Sequence, residues 1–467
     1  MKIILAAASA AILAAAPAGA LEWQALGPRA LGMGGAGVAL SQGPVASYWN
    51  PASLGLATEN AYGFQLPVGA HAALTGPVIA GANDLKNLRD ACSTFPPGAG
   101  CTQANINATL AELNNPADGL RVDANAGGDF KIGRLAFFAN GFLDAGAVPR
   151  VDTTHNLAAP ASNPDSLLHN DSALVVKGAR LLEFGAGYGR ELPFAPGVFL
   201  GGNLKLMNAS VGYASYNINQ NNNGNSNIAS QIKSSATTSS NIGVDVGVLW
   251  DLGRSFDGVD FRPRIGLTGR NLNNPKFTQP AAAAADGVSG RYAVNPQARL
   301  GAAISPFSWW NIAADVDLTR NLTPVDGVAS RQFGVGTEIN VFNRSWINIP
   351  LRFGASRNLA EAGAGTLVSA GAGLNFLHII VDASATASPK TIPTQTQGKT
   401  TKIPTELGAA LSVSLLFGGS EDDRTRPRGD DSQAAPPPES RDLPPAQADE
   451  VRRNAEKAQQ ELDKAGH

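Results

Sequence analysis

The sequence predicts an all-β protein: a transmembrane up-and-down antiparallel β-barrel of about fourteen strands, with an N-terminal plug and a helical insert. Three observations predict it. Apolar and polar residues alternate with a period of two along many segments, the connections between those segments alternate long and short, and the chain is poor in charge and rich in glycine. Of 467 residues, 36 are Lys or Arg and 38 are Asp or Glu, so the net charge is −2 and the charged fraction only 16 %. An ordinary soluble domain carries about 25 % charged residues and about 7 % glycine; here there are 52 glycines. A near-neutral chain has no basic footprint, so no nucleic-acid contact is expected. An apolar fraction of 43 % excludes wholesale disorder.

The first twenty residues read as a secretory signal peptide. Lys2 supplies the positive start, Ile3 to Ala16 the short apolar core, and Ala18-Gly19-Ala20 the cleavage site. Pro17 and Gly19 end the run too early for a spanning helix. Export places Cys92 and Cys101 in an oxidising compartment, where they are expected to form one small disulfide loop. At the other end, residues 420–467 hold 20 charged residues in 48, whereas 21–419 carry about one in eight. Pro436, Pro437 and Pro438 make this tail an extended, hydrated periplasmic spacer. A short helix is expected over Asp449–Ala465.

Strands account for most of 57–419. The clearest alternation covers 242–251, 261–268, 310–319, 332–340, 347–354 and 407–417. Weaker patterns cover 62–68, 74–80, 129–142, 181–190, 197–207, 297–304, 366–374 and 379–387. The alternation puts Lys205, Asp245, Arg262, Arg264, Arg299, Asp315, Asp317, Glu338 and Arg352 on the face away from lipid. Charges of both signs there suit paired side chains and plug contacts better than a single-sign ion filter.

Loop lengths separate a membrane barrel from a soluble sandwich. The long connections are 143–180, 208–241, 271–296, 320–330, 357–365 and 388–405; the short ones are 191–196, 253–260, 305–309, 341–345 and 375–378. Long external loops and short periplasmic turns give this rhythm in outer-membrane barrels, and Greek-key sandwiches have no reason to. Two features resist. Residues 81–128 look helical around Asn83–Ala91 and Thr102–Leu113, so they either fold into the lumen or mark a misplaced strand pair. Aromatic residues make up only 6 %, thin for two interfacial girdles.

No catalytic, metal or cofactor motif emerges. Gly32 to Gly37 satisfies G-x-G-x-x-G, but no buried strand precedes it, and Gly43, Pro44 and Pro51 prevent the long helix that a dinucleotide site needs. Pro393 stands where a P-loop ending at Gly398-Lys399-Thr400 would need glycine. The five histidines have no metal-ligand spacing, and there is no nucleophile elbow.

The run Arg29-Ala30-Leu31-Gly32-Met33-Gly34-Gly35-Ala36-Gly37-Val38-Ala39, followed by Ser47-Tyr48-Trp49-Asn50-Pro51-Ala52, resembles the opening of the FadL/PorV superfamily of outer-membrane barrels. Residues 313–319 and 351–355 are more similar to one branch, the TraF-type conjugal-transfer barrel proteins. An unrelated thioredoxin-like protein shares that name, but Cys92 and Cys101 lack C-x-x-C spacing. The resemblance covers about 21–419. It implies a non-enzymatic envelope protein in the outer membrane, with lipid, the barrel-insertion machinery and conjugation or secretion proteins as partners. A FadL-like transporter of hydrophobic small molecules is the second reading. Residues 21–56 would form the plug, with Gly32, Gly34, Gly35, Gly37, Asn50 and Pro51 shaping its turns.

Overall fold

A β-strand exposed to lipid on one face and to a wet lumen on the other must alternate outward apolar and inward polar or small side chains. That is the pattern in a computed structural model of the chain. The model describes residues 21–417 apart from 57–61, 77, 116–117, 218–227, 289, 326–327, 345, 362 and 397–398. The segment 1–20, expected to be a signal peptide, and the charged tail 420–467 lie outside the described residues. Fourteen strands form one closed barrel: β1 Tyr62–Thr75, β2 Gly119–Ile132, β3 Leu135–Arg150, β4 Ala173–Leu192, β5 Ala195–Asn217, β6 Thr237–Asp251 and β7 Arg264–Arg270. They continue as β8 Gln297–Phe307, β9 Trp310–Asp317, β10 Gln332–Arg344, β11 Ile347–Asn358, β12 Thr366–Phe376, β13 Ile379–Ala387 and β14 Glu406–Phe417.

Every neighbour in the barrel is antiparallel. β1 closes it on β14 from Tyr62 opposite Phe417 to Ala73 opposite Glu406. With no open edge, each strand finds partners on both sides, as a lipid environment demands. On β14, Leu407, Leu411, Val413, Leu415 and Phe417 point outward, while Ala410, Ser412 and Ser414 are buried inside. On β2, Val122, Phe130 and Ile132 face out, and Arg121, Asp123, Asn125, Asp129 and Lys131 face in.

Fourteen strands agree with the expected number, but two boundaries move. Residues 74–80 are not a strand of their own: β1 runs through to Thr75, and a helix, α3 (Val78–Ser93), follows. The segment 129–142 is not one strand either. It contains the hairpin between β2 and β3, whose turn at Gly133 has a positive φ of 58°. The two errors cancel in the count. The helices α3 and α4 (Gln103–Leu113) fall where they were expected, but the strand residues after Asp118 belong to β2. The helical insert is therefore the connection between β1 and β2 and lies on the long-loop side. There Leu85, Leu88, Ile106, Leu110 and Leu113 bury against Leu167 of the next long loop. A disulfide joins Cys92 to Cys101 in this lobe, with Cα atoms 5.0 Å apart.

The long-and-short rhythm is cleaner in the structure than in the sequence. Turns 133–134, 193–194, 308–309, 345–346 and 377–378 are two residues each, and 252–263 is the longest on that side. Strands β4 and β5, 20 and 23 residues long, exceed the nine to eleven or so that cross a membrane. Since their shared turn is tight, the excess projects on the long-loop side. The few aromatics are concentrated rather than spread. Trp250, Phe307, Trp309, Trp346, Phe376 and Phe417 all sit at the short-turn rim, with Phe307 and Trp309 stacked at 5.3 Å. One girdle is well supplied although the total is low.

Candidate functional site in the barrel lumen

The lumen is built from inward residues, and it is ionic. Lys205 is fully buried, with Nζ 3.0 Å from Glu183 and 3.1 Å from Asp245. Arg270 reaches the other oxygen of Glu183 at 3.2 Å, and Arg299 pairs with Asp317 at 2.6 Å. Arg352 bridges Glu338 at 2.7 Å and Asp382 at 2.6 Å. Removing one member of such a buried pair strands the other charge and costs about 3–5 kcal/mol. Eight of the nine charges expected on the non-lipid face are buried there. Arg262 is the exception. It precedes β7, in a turn where Phe261 and Arg262 have φ of 62° and 43°, so the alternation does not extend to it.

Residues Leu21–Leu56 lie against this inner surface and are nearly all buried. Pro28, at the first position of helix α1 (Pro28–Gly32), fixes its start. Arg29 then forks onto Glu338 through Nη2 at 2.7 Å and Nε at 2.9 Å. The Gly34 amide donates to Ser369 Oγ at 3.0 Å, and that hydroxyl donates to the Gly32 carbonyl at 3.2 Å. The amides of Gly37 and Val38 both donate to Asp315 Oδ2, at 2.7 and 2.9 Å. Asn50 is completely buried. Its Oδ1 accepts from Ala52 N at 3.0 Å, and its Nδ2 donates to Val38 O and Val248 O. Pro51 opens the short 3₁₀ turn Pro51–Gly55.

The glycines named from sequence divide by role. Gly34 and Gly35 have φ of 69° and 84°, which L side chains rarely adopt. A Cβ on Gly34 would also collide with the Ala355 carbonyl, and one on Gly37 with the Trp49 ring. Gly32 sits against Arg352 and Gly371, whereas Gly35 has open space. What sequence reading missed is the matching set on the wall. A Cβ at Gly201, Gly247, Gly336 or Gly354 would strike the N-terminal segment itself. Alternation of glycine with large residues on these strands was the available signal.

One side of the lumen is apolar instead. Trp23, Tyr48 and Trp49 of the N-terminal segment pack with Phe142, Leu181 and Met207 of the wall and with Phe277, Tyr292 and Val294 of the long loop 271–296. Tyr48 stacks on Phe142 at 5.6 Å, and the Arg270 guanidinium lies 4.0 Å from the Tyr48 ring centroid. Sequence reasoning also missed Arg121 and Asp123, because that part of β2 was taken as helical insert, and His71, which falls between the expected strands 62–68 and 74–80 in the middle of β1. Among the described residues no His, Cys, Asp and Glu side chains converge to hold a metal ion.

A closed antiparallel barrel with an apolar exterior and a charge-paired interior defines a transmembrane β-barrel protein. Residues 47–317, more than half of the chain, match the family described as F plasmid transfer operon, TraF, protein, and the chain belongs to that family. None of the curated proteins matches the sequence. Among solved structures, the Pseudomonas putida toluene transporter TodX is similar at 12 % identity, covering 85 % of this chain and 100 % of that one, with a TM-score of 0.45. The Ralstonia pickettii toluene transporter TbuX is similar at 15 % identity, covering 84 % and 98 %, with a TM-score of 0.44. A Pseudomonas aeruginosa FadL homologue is similar at 13 % identity, covering 86 % and 99 %, with a TM-score of 0.43.

Proposed function

We propose that the protein is a non-enzymatic outer-membrane barrel that passes small hydrophobic molecules and that Leu21–Leu56 is its plug. The observation that carries this reading is the apolar cluster in which Phe277, Tyr292 and Val294 of a long loop pack with Phe142, Leu181 and Met207 of the wall and with Trp23 and Trp49; we read it as a column leading in from the outer loops. Buried ion pairs stand beside it on the wall, and a hydrophobic solute has a low-energy path only where apolar side chains replace hydrated charges. The hydrogen bonds of Gly34, Gly37, Val38 and Asn50 hold the plug, and a change in its seating opens the column. The signal peptide serves export. The tail after Phe417 lies in the periplasm, since β14 ends at the short-turn rim.

A second reading is an envelope component of conjugal transfer that binds secretion partners, and the family match over 47–317 favours it. The apolar column is the reason we put solute passage first. TodX and TbuX, the similar solved barrels, are toluene transporters, and toluene is the probe. Intact cells producing the protein are expected to take up labelled toluene faster than cells without it, and Phe142→Glu, checked for heat-modifiable gel mobility, to slow uptake several-fold. Uptake equal to that of cells lacking the protein would remove the transport reading and leave partner binding.

A further inference from the structure

The outer end of the apolar column is closed by the loop that lines it. On β5 the column wall is Met207, Ala209 and Val211, all inward and buried. The next inward residue, Tyr213, belongs to a second apolar cluster with Val148 of β3, Val175 of β4, Val325 and Ala283. Ala283 lies in the tip of the long loop 271–296, whose two legs carry Phe277, Tyr292 and Val294. The tip therefore stands where a solute coming from outside would first meet the apolar wall.

Legs and tip are held unequally. The first leg is fastened to β6: the Asn271 amide donates to Asp245 Oδ1 at 2.9 Å, Asn273 Nδ2 to the Ile242 carbonyl at 2.6 Å, and the Thr278 amide to Ser239 Oγ at 2.9 Å. Phe277 and Tyr292 then pair the two legs. In the tip, Ala281–Ala285 is a helix of five residues whose N-cap, Pro280, offers no side-chain hydrogen bond, and so short a helix does not hold its shape unaided. Among residues 281–286 only Ala283 is buried. From the tip, Asp286 reaches the wall: its Oδ2 lies 3.0 Å from Arg150 Nη1 and accepts from the Tyr213 hydroxyl at 2.9 Å. The Arg150 and Asp286 side chains are 51 % and 25 % exposed, so water and salt compete for the pair. Gly287 and Gly290 follow with φ of 80° and 89°, and nothing lies within 4 Å of a Cβ placed on either, so the backbone has room to turn there.

We propose that this tip is an outer gate of the column and that Asp286, held by Arg150 and Tyr213, is its latch. The gate rests on the solute-passage reading, and the two fail differently. Uptake of labelled toluene is measured in intact cells, and amide exchange in the purified full-length barrel in detergent. Cells with Asp286→Ala are expected to take up toluene at least threefold faster than cells with the unaltered protein. In that variant the amides of 283–288 should exchange at least tenfold faster, with those of 271–278 unchanged. Asp286→Glu keeps the carboxylate and should stay close to the unaltered protein in both. Unchanged exchange in Asp286→Ala, or faster exchange with unchanged uptake, would overturn the gate while leaving passage in place. Uptake no faster than in cells lacking the protein, for the unaltered barrel and Asp286→Ala alike, would instead remove passage and the gate with it. Should Asp286→Ala fail to fold, salt acting on the unaltered protein decides. Raising NaCl from about 0.05 M to about 0.5 M should speed exchange in the tip but not in 271–278, and equal tip rates at both would overturn the latch.

Discussion

Gly34 and Gly35 are adjacent and both left-handed, yet they should respond differently to a methyl group. A non-glycine residue in this region costs about 1–2 kcal/mol by itself. At Gly35 nothing lies within 4 Å, so Gly35→Ala should cost little more than that strain. At Gly34 the new Cβ meets backbone carbonyls of β10 and β11, which cannot move without breaking the ladder. Gly34→Ala is expected to raise protease cleavage within 21–56 at least tenfold, and Gly35→Ala much less; equal rates would show that the close approach does not hold the segment.

Outside the membrane, Asp152 and His155 set a pH window for the long loop 151–172. Burial pushes the Asp152 carboxyl up, but donation from the Asp171 amide, the Thr154 hydroxyl and His155 outweighs it and holds the group below the usual carboxylate range. The hydrogen bond to Asp152 raises the His155 imidazole above its ordinary value. The aspartate contribution is present above the ordinary carboxylate pKa, about 3.9, and lost as pH falls through the depressed value. The histidine contribution is present below the ordinary histidine pKa, about 6.5, and lost as pH rises through the raised one. Amide protection in this loop, taken relative to the intrinsic exchange rate at each pH, should therefore be highest between these limits. Asp152→Asn should flatten both arms, and a profile unchanged in that variant would show that the pair does not order the loop.

The elements that were legible in the sequence are those whose lipid face carries large residues in strict alternation. β14, with leucine, valine and phenylalanine outward against serine and alanine inward, shows its register in the sequence alone. β2 was not legible, since Ala124, Ala126 and Gly128 interrupt its lipid face and leave no period of two to read. The wall against which the N-terminal segment packs was hidden for a related reason. Its glycines contribute no side chain to the pattern, and their role depends on a segment distant in the chain, as where Gly201 meets Pro51 and Gly354 meets Gly34.

At the level of elements, the helical lobe should be separable from the barrel. Its disulfide closes a loop with a sequence separation of 9, and chain-entropy estimates for so short a loop are about 2–3 kcal/mol. Replacing Cys92 and Cys101 by serine is expected to speed amide exchange in α3 and α4 while leaving unheated gel mobility unchanged. A barrel that no longer resists unfolding without heat would show that the lobe and the barrel fold as one unit. Likewise the connection 218–236 should accept an epitope tag and display it on intact cells. The usable window is narrower than the expected 208–241, because β5 continues to Asn217 and β6 begins at Thr237. Detection only after permeabilisation would invert the topology.

The whole molecule closes through one seam, where β1 meets β14 over twelve register pairs ending on Tyr62 and Phe417. Burying a charge in the lipid-facing end of that seam is costly, and the fourteen strands close on one another with β14 ending at Phe417. Deleting 420–467 should leave insertion intact, while Phe417→Asp should reduce the amount of folded barrel in the membrane. Equal insertion of the two would mean that the last strand does not guide assembly.

The central claim is that Leu21–Leu56 fills the lumen and controls passage. Its most direct test is conductance in a planar bilayer, with the intact barrel compared to one lacking residues 25–52. The intact protein should stay nearly closed, because the N-terminal segment occupies the space at the wall glycines Gly201, Gly247, Gly336 and Gly354, and Glu338 and Asp315 are engaged by it. The deletion frees Glu338, Asp315 and the Trp49 pocket to water and should open a stable channel. An intact protein that already conducts like an open porin, or a deletion that changes nothing, would contradict the plug.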